Sequence, residues 1–189
     1  MGLTEWAYTL SEAMLSEPLP RRWAHSLGVA KRARSLSPIL GADAELLEAA
    51  AVLHDVGYSP AIATTGFHPL DGARFLRGQE GADERVVRLV AHHSCALLEA
   101  EERGLRQELE GEFELERPDL VDALLYCDMT TTPDGTHTTP TERLDEIVQR
   151  YGPDTIVGRF IQRAAPEIHA ASKRVGDRMA DASVGGQPM

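Results

Sequence analysis

The sequence predicts an all-α protein built as a single domain. Apolar residues recur at helical spacing along most of the 189 residues, which is typical of amphipathic helices. No stretch shows the alternating pattern and tight turn of a β-hairpin, and no linker-like segment separates two domains. We therefore expect one helical domain over residues 1–175, followed by a disordered tail over residues 176–189.

Caps and helix breakers define the order of the predicted helices. Asp43 and Asp83 are expected N-caps, because their carboxylates can accept hydrogen bonds from first-turn amides. Pro69 and Pro118 suit the first turn of a helix, and Gly57 suits the end of one. The predicted helices cover residues 4–16, 21–35, 44–53, 68–78, 84–93, 97–112, 118–128, 142–151 and 155–175.

Two of the predicted segments invite an interpretation beyond their secondary structure. Segment 97–112 is strongly acidic, and we expect its charges to lie on a solvated face. The threonine-rich segment over residues 130–140 is predicted to be an irregular loop, acting either as a substrate-facing lid or as a simple connector. The two helices that follow this loop are expected to pack outside the core.

The charge balance disfavours polyanionic partners. The 19 Lys and Arg residues against 30 Asp and Glu residues give a net charge of −11, which repels nucleic acid and anionic membrane surfaces. The N-terminal segment lacks a signal-peptide pattern, and no apolar run reaches the length of a membrane span. Cys95 and Cys127 are too few for a disulfide scaffold and are predicted to be reduced thiols. We therefore expect a cytoplasmic protein that binds neither nucleic acid nor membranes.

The adjacent pair His54 and Asp55 ends an apolar run over residues 49–53. Burying an ionised carboxylate costs several kcal/mol unless it is paired or coordinated, and His together with carboxylate suits iron, manganese or zinc. Further histidines and one aspartate lie on or beside apolar helical segments in the same way: His25, His68, His92, His93 and Asp128. The sequence therefore predicts a metal centre built from these residues.

In this order the candidate ligands resemble the signature of the HD-domain superfamily of metal-dependent phosphohydrolases. The signature is a histidine, an adjacent His-Asp pair and a later aspartate, matched here by His25, His54, Asp55 and Asp128. Members with two metals add histidines between the pair and the last aspartate, as His68 and His92 do. The resemblance covers residues 20–130 or so, and it implies an HD-domain helical bundle with additional C-terminal helices.

The resemblance also implies two divalent ions, drawn from Fe, Mn, Co, Mg or Zn. Asp55 is the expected bridge and the central catalytic residue, because two ions roughly 3.5–4 Å apart can share one carboxylate and one water. The other ligands divide into His25, His54 and Asp128 for the first ion, and His68 and His92 for the second. His93 is left with two roles, as a ligand or as a neighbour of the substrate. A metal-bridged hydroxide would attack phosphorus.

Two departures from the family pattern bear on the number of metal ions and on the residue that binds phosphate. Many members follow the His-Asp pair with Gly-Lys, and single-metal nucleotidases place a glutamate soon after it, but residues 56–63 contain neither lysine nor acid. The missing glutamate favours two metals. Arg22, three residues before His25, is then the expected phosphate ligand, since its guanidinium suits phosphate bidentately. Tyr58 is also expected to contact the substrate.

The predicted function is hydrolysis of a phosphate ester or anhydride of a nucleotide or another small phosphorylated metabolite. Some proteins of the same fold use the same ligands to hold two irons and activate oxygen. Ligand identity alone does not separate the two activities. Diiron oxygenase chemistry therefore remains the alternative at this point.

Overall fold

The computed structural model of the chain describes residues 2–185, and it confirms the predicted all-α class. The helices are α1 (Leu3–Leu15), α2 (Pro20–Ser35), α3 (Ser37–Leu40), α4 (Ala44–Leu53), α5 (His68–Arg77), α6 (Glu84–His92), α7 (Ala96–Arg103), α8 (Arg106–Glu112), α9 (Pro118–Met129), α10 (Pro140–Tyr151) and α11 (Ile156–Gly185). Short 3₁₀ turns lie at Gly41–Asp43, Val56–Tyr58 and His93–Cys95. Within residues 2–185, β-structure is limited to an isolated antiparallel bridge between Thr131 and His137. None of the described helices combines the length and the apolar character that a membrane span requires.

Helix α4 forms the centre of the fold. Its sequence from Ala49 to Leu53 is apolar at every position, so no face of this stretch suits water, and each of these residues is fully buried. Helices α1, α2, α6 and α9 pack around α4. His54 and Asp55 follow directly at its C-terminal end, and the packing therefore places both side chains in the interior.

A second, smaller apolar cluster joins helices α9, α10 and α11. It contains Leu125 and Met129 of α9, Leu144 of α10 and Phe160 of α11. This contact fixes α10 and α11 beside the C-terminal end of α9, where Asp128 lies. The expectation that the last two helices pack outside the core is therefore wrong, because they cover a second core next to the predicted metal centre.

Of the two predicted N-caps, Asp83 caps its helix and Asp43 does not. Asp83 accepts a hydrogen bond from the backbone amide of Arg85, at 2.8 Å, and caps α6 as expected. Asp43 makes no side-chain capping bond. Its carboxylate pairs instead with Arg85 at 2.8 Å and with Arg117 at 2.9 Å, because these two arginines bring full charges to it.

The acidic segment 97–112 is two helices rather than one. Gly104, with a φ of 73°, ends α7 in the left-handed region, a conformation that glycine adopts without steric cost. The expectation of a solvated charged face fails at Glu99, which is 5% exposed. Its carboxylate accepts from Arg103, one turn further along α7, at 2.6 Å.

Helix α11 extends through residues that the sequence assigned to a disordered tail. Val175 is fully buried, and Met179 packs against the main core. Arg178 donates from Nη2 to the carbonyl of Ile39 at 2.9 Å. These contacts stabilise the helix as far as Gly185. Residues 186–189 of the predicted tail lie outside the described residues.

The threonine-rich loop over residues 130–140 is docked against α2. A Cβ at Gly28 would lie 2.5 Å from the carbonyl oxygen of Gly135, and a Cβ at Gly135 would lie 2.3 Å from that of Ala24. Glycine at both positions therefore permits the backbones to approach. The approach brings the carbonyl of Thr132 to 2.9 Å from Nδ1 of His25. The loop thus supports a predicted metal ligand through its backbone.

Candidate metal centre

The candidate ligands converge from five helices, mostly at helix ends. His25 lies within α2, and Asp128 lies near the end of α9. His54 and Asp55 directly follow α4, His68 begins α5, and His93 follows α6. A Cβ at Gly57 would lie 2.0 Å from the carbonyl oxygen of His68. Glycine at position 57 therefore lets the turn after Asp55 pack closely on the start of α5, which brings His68 to Asp55.

The first cluster consists of His25, His54 and Asp128, and all three are buried. The Nε2 atom of His25 lies 3.0 Å from Oδ1 of Asp128, and Nε2 of His54 lies 3.9 Å from the same oxygen. The Nε2 atom of His54 is buried without a hydrogen-bond partner in the described part of the chain. A buried polar atom of this kind is costly unless a ligand meets it.

Backbone carbonyls fix the orientation and the tautomer of three of the imidazoles. The Nδ1 atoms and their partners are His25 with Thr132 O at 2.9 Å, His54 with Ala51 O at 2.7 Å, and His93 with Val90 O at 2.6 Å. A carbonyl only accepts, so Nδ1 must carry the proton in each ring. The lone pair of the neutral ring then belongs to Nε2, which points into the centre. Metal-ligating histidines are held in this way.

The second cluster consists of Asp55, His68 and His93. The Nε2 atoms of His68 and His93 face each other at 3.0 Å, and Nε2 of His68 lies 3.4 Å from Oδ1 of Asp55. Since Nδ1 of His93 donates to a carbonyl, its Nε2 offers a lone pair to this space. The cluster therefore has two imidazoles and one carboxylate aimed at a common point.

Asp55 presents one oxygen to each cluster. Its Oδ2 atom lies 3.4 Å from Nε2 of His54 and 3.9 Å from Nε2 of His25, whereas Oδ1 faces His68 in the second cluster. Arg22 donates from Nη1 to Oδ2 at 2.7 Å. Asp55 thus lies between the two clusters, as a bridging carboxylate would.

The structure brings His93, and not His92, into the cluster. Both residues are buried, but Nε2 of His92 donates to the carbonyl of Phe113 at 2.8 Å, on the other side of α6. Helix α6 ends at His92, and His93 has an extended ψ of 153°, which turns its ring toward Asp55. The second cluster therefore contains His93, whereas His92, predicted to complete the second site, lies outside it.

The pKa shifts keep His54 and His68 neutral and Asp55 and Asp128 ionised at pH 7. Burial lowers the pKa of His54 to about 4, and burial together with the ring of His93 lowers that of His68. Burial alone would raise the pKa values of Asp55 and Asp128. Arg22 and the surrounding imidazoles outweigh it for Asp55, and His25 does so for Asp128, so that both pKa values fall below their usual range. These are the protonation states that metal ligands require.

The separations between these atoms fit coordination to a metal ion. For metal–ligand bonds of about 2.1 Å, two ligand atoms lie about 3.0 Å apart at right angles and about 3.4 Å apart at tetrahedral angles. The distances among His25, His54, Asp55, His68 and Asp128 fall between 3.0 and 3.9 Å. Both clusters can therefore hold a divalent ion without rearrangement of the backbone.

Ser94 supports the centre in a way that the sequence did not suggest. Ser94 and Cys95 have φ values of 49° and 62°, and side chains other than glycine rarely adopt this left-handed conformation. The Ser94 hydroxyl donates to Oδ2 of Asp128. Uncommon backbone conformations of this kind concentrate at functional sites, and here the turn after α6 directs both His93 and Ser94 to the ligands.

A cavity of about 590 Å³, including the part open to solvent, lies over the centre. Arg22 and Tyr58, both expected to contact substrate, line it. The Arg22 guanidinium lies 3.7 Å from the centre of the Tyr58 ring, which in turn stacks on His68 at 3.9 Å. Both residues therefore pack directly on the ligand shell.

Further residues that line the cavity come from helices that the sequence analysis placed on a solvated face or outside the core. Glu99 of α7 reaches the cavity, and α10 contributes Arg143, Arg150 and Tyr151. The sequence feature that groups the α10 arginines is their spacing, because positions 143 and 150 are seven residues apart and share one helix face. That spacing does not reveal which face meets the metal centre.

Comparisons with known proteins agree with this geometry. The family model of the HD domain matches residues 22–132, which is more than half of the chain. A curated relative, Ribonuclease Y of Rubrobacter xylanophilus, is 40% identical over 70 residues, which cover 37% of this chain and 14% of the relative. The chain thus spans a small part of that relative's length. No solved structure matches the chain.

Proposed function

This chain belongs to the HD domain family, and on that premise we propose that it is a phosphohydrolase with two divalent metal ions. We infer that it cleaves a phosphate ester or anhydride in a nucleotide or another small phosphorylated metabolite. The resemblance of one segment to Ribonuclease Y fits a hydrolase in general terms. The observation that carries the proposal is the pair of His/Asp clusters that share Asp55 beneath a cavity lined by arginines.

The ligands divide naturally between the two ions. His25, His54 and Asp128 would hold the first, His68 and His93 the second, and Asp55 would contribute one oxygen to each. Imidazole-rich sites with carboxylates suit Fe, Mn, Co or Zn better than Mg, which prefers oxygen ligands. When bound, such ions activate water and neutralise charge on the phosphoryl group.

The protein's own residues position the substrate and the ligands. Arg22 holds Oδ2 of Asp55 at 2.7 Å and presents the rest of its guanidinium to the cavity, where it can contact a phosphoryl oxygen. Hydrolysis transfers the phosphoryl group to water, breaks the bond between phosphorus and the leaving-group oxygen, and returns a proton to that oxygen. Ser94 and the backbone carbonyls keep the ligands fixed during these changes.

The charge distribution supports a small substrate rather than a nucleic acid. The chain has a net charge of −11, which disfavours long polyanions and anionic membranes, while Arg22, Arg143 and Arg150 concentrate positive charge at the cavity. Asp55, Glu99 and Asp128 line the same cavity, but guanidinium groups are phosphate ligands, and their presence supports phosphate chemistry over oxygen activation. The free thiols Cys95 and Cys127 support a reducing compartment, and we place the protein in the cytoplasm.

A phosphate-release screen tests this function. Purified protein is incubated with nucleotides, sugar phosphates and a short RNA, in the presence of Mn²⁺, Fe²⁺, Co²⁺, Mg²⁺ or Zn²⁺, and oxygen uptake is followed in parallel on the iron form. We expect phosphate release from small compounds and no cleavage of RNA. The matched pair of variants is Asp55→Asn, which should be inactive, and Asp145→Asn, an exposed carboxylate of α10 outside the cavity. Oxygen uptake without phosphate release would overturn the proposal in favour of an oxygenase.

A further inference from the structure

Helix α10 directs two cations and an aromatic ring toward the metal centre. Arg143, Ile147, Arg150 and Tyr151 all line the cavity, and their spacing of three to four residues places them on one face of the helix. These residues lie beyond position 132, where the match to the HD domain ends. The cationic face is therefore a feature of this chain outside the family core.

Arg143 is buried with unsatisfied hydrogen-bonding capacity. The residue is only 6% exposed, and its Nε atom is buried without a hydrogen-bond partner in the described part of the chain. Its Nη1 atom donates to Glu146. A buried guanidinium with a free donor is costly unless an acceptor meets it, and phosphate is the acceptor that best matches its planar geometry.

On this face of α10, arginines outnumber carboxylates. Glu146 pairs with Arg143 and also lies 3.3 Å from Nε of Arg150, so that one carboxylate serves two guanidinium groups. Arg22 adds a third guanidinium to the same cavity. Asp55, Glu99 and Asp128 line the cavity as well, so the excess of cations is confined to the α10 face, where it favours an anionic ligand.

The arginines lie where two cavities adjoin. A neighbouring groove of about 740 Å³, bounded by the Pro18–Pro20 turn and Pro133, shares Arg22, His25, Arg143 and Arg150 with the cavity over the metal centre. The aromatic residues Tyr151 and Phe160 also line that cavity. A ligand at the metal centre thus has both cations and aromatic rings within the same cavity.

We propose that Arg143 and Arg150 form a second phosphate subsite, so that the substrate is a nucleoside polyphosphate. This inference rests on the proposed function. The phosphoryl group that reacts lies at the metal centre, a second phosphate binds the two arginines of α10, and the nucleoside packs against Tyr151 and Phe160. A nucleoside monophosphate fills the metal centre but leaves the arginines without their acceptor.

Equilibrium binding of a matched pair of nucleotides tests the subsite. The probes are AMP, which has no anhydride bond, and α,β-methylene-ADP, which adds a second phosphorus group through a methylene bridge that resists hydrolysis. Calorimetry on the metal-loaded wild type should show α,β-methylene-ADP binding at least about tenfold more tightly than AMP, because charge-assisted hydrogen bonds contribute this much. Arg150→Gln should reduce that preference to less than about threefold.

Two further variants make the result specific. Arg163→Gln removes an exposed arginine of α11 that pairs with Glu102 outside both cavities, and it should keep the wild-type preference. Arg143→Gln should act like Arg150→Gln, with thermal unfolding as the check that this buried substitution leaves the fold intact. The subsite would be overturned if the wild type bound the two probes with equal affinity. It would also be overturned if Arg150→Gln weakened the binding of both probes by the same factor.

The same experiment separates the subsite from the proposed function. If α,β-methylene-ADP binds with the expected preference but ADP releases no phosphate, then the hydrolase proposal fails and the anion subsite stands. If ADP and AMP are hydrolysed with equal efficiency and Arg150→Gln changes neither, then the hydrolase proposal stands and the subsite fails. Displacement of α,β-methylene-ADP by a short RNA at lower concentration than by ADP would overturn the assignment to a nucleotide.

Discussion

The HD core and the two C-terminal helices differ in how they present their polar side chains. In the core, the proposed ligands are buried apart from His68, which is partly exposed, and backbone carbonyls orient His25, His54 and His93. On α10 the polar groups at the cavity are arginines, of which Arg150 is exposed and shares one carboxylate with Arg143. The difference fits the two proposals made above, in which the core carries the chemistry and α10 contributes to substrate binding.

This division also follows from how the two regions are built. Most core ligands lie on or directly after α4 or helices that pack on it, namely α2, α6 and α9, so the main hydrophobic core fixes their positions. Helix α10 joins the molecule through the smaller apolar cluster with α9 and α11. A family can therefore retain its reaction centre while the helices beyond it vary the ligand.

The largest expected effect comes from removing the shared carboxylate. Asp55→Asn keeps the shape of the side chain but loses the charge that both clusters use. Phosphate release should fall at least about 1000-fold, because metal activation of water is lost. Asp145→Asn should stay within about twofold of the wild type, since surface substitutions have small effects. If Asp55→Asn retained a tenth of the activity, then the core would not carry the chemistry as described.

The second test compares the two adjacent histidines. His93→Gln should lower the metal content to about one ion per chain and reduce phosphate release about 100-fold, because it removes a ligand of the second site. His92→Leu should keep both ions and lower the free energy of unfolding by about 1–3 kcal/mol, since the carbonyl of Phe113 loses its donor. Metal analysis and urea unfolding of both variants measure this. Loss of metal in His92→Leu alone would reverse the assignment.

A third test addresses Arg22, which lines the cavity and contacts the bridging carboxylate. Arg22→Gln should lower kcat/KM about tenfold, because a charge-assisted hydrogen bond to phosphate is lost. Arg22→Lys should recover part of this loss, since it restores the charge but not the planar fork. The two constants, kcat and KM, are measured separately. Full activity of Arg22→Gln would remove Arg22 from the substrate site.

The smallest effect is the expected change in the free energy of unfolding of the metal-free protein with pH. Burial lowers the pKa of His54 to about 4 in the folded chain, whereas an exposed histidine has a pKa of about 6.5. Between these values the unfolded chain binds more protons, so the free energy of unfolding decreases as the pH falls. The expected contribution is about 1 kcal/mol between pH 6.5 and 5.5.

The control for this pH effect is a pair of histidine variants. Chelator-treated His54→Gln should show a smaller dependence of urea unfolding on pH than the wild type, and His169→Gln, at an exposed position, should not. If urea unfolding depended on pH equally in all three proteins, then His54 would be protonated as easily in the folded chain as in water.

The sequence predicted the fold class and most of the ligand set for identifiable reasons. Apolar residues at helical spacing predict helices. A His-Asp pair after a wholly apolar run is costly to bury without a partner, so His54 and Asp55 indicated a metal centre. The choice between His92 and His93 depends on where α6 ends and on the left-handed turn at Ser94 and Cys95. Neighbouring residues in the chain do not determine that geometry, and the sequence alone favoured His92, whereas the structure places His93 in the cluster.

The α10 subsite was missed because it depends on tertiary packing. The spacing of Arg143 and Arg150 predicts only that the two share a face, and the contacts of α10 with α9 and α11 determine what this face meets. Likewise, Glu99 belongs to an acidic run that appears solvated in the sequence, but packing of α7 makes it a buried cavity residue. Long-range contacts such as these are not encoded in local patterns.

Metal content is the measurement that tests the central claim most directly. The wild type, loaded with Mn²⁺ and passed through a desalting column, should retain about two ions per chain, because two clusters share the carboxylate of Asp55. Asp55→Asn should retain less than one, while Asp145→Asn should retain the wild-type content. A wild type that binds no metal after supplementation, or an Asp55→Asn variant that still holds about two ions, would contradict a centre bridged by Asp55.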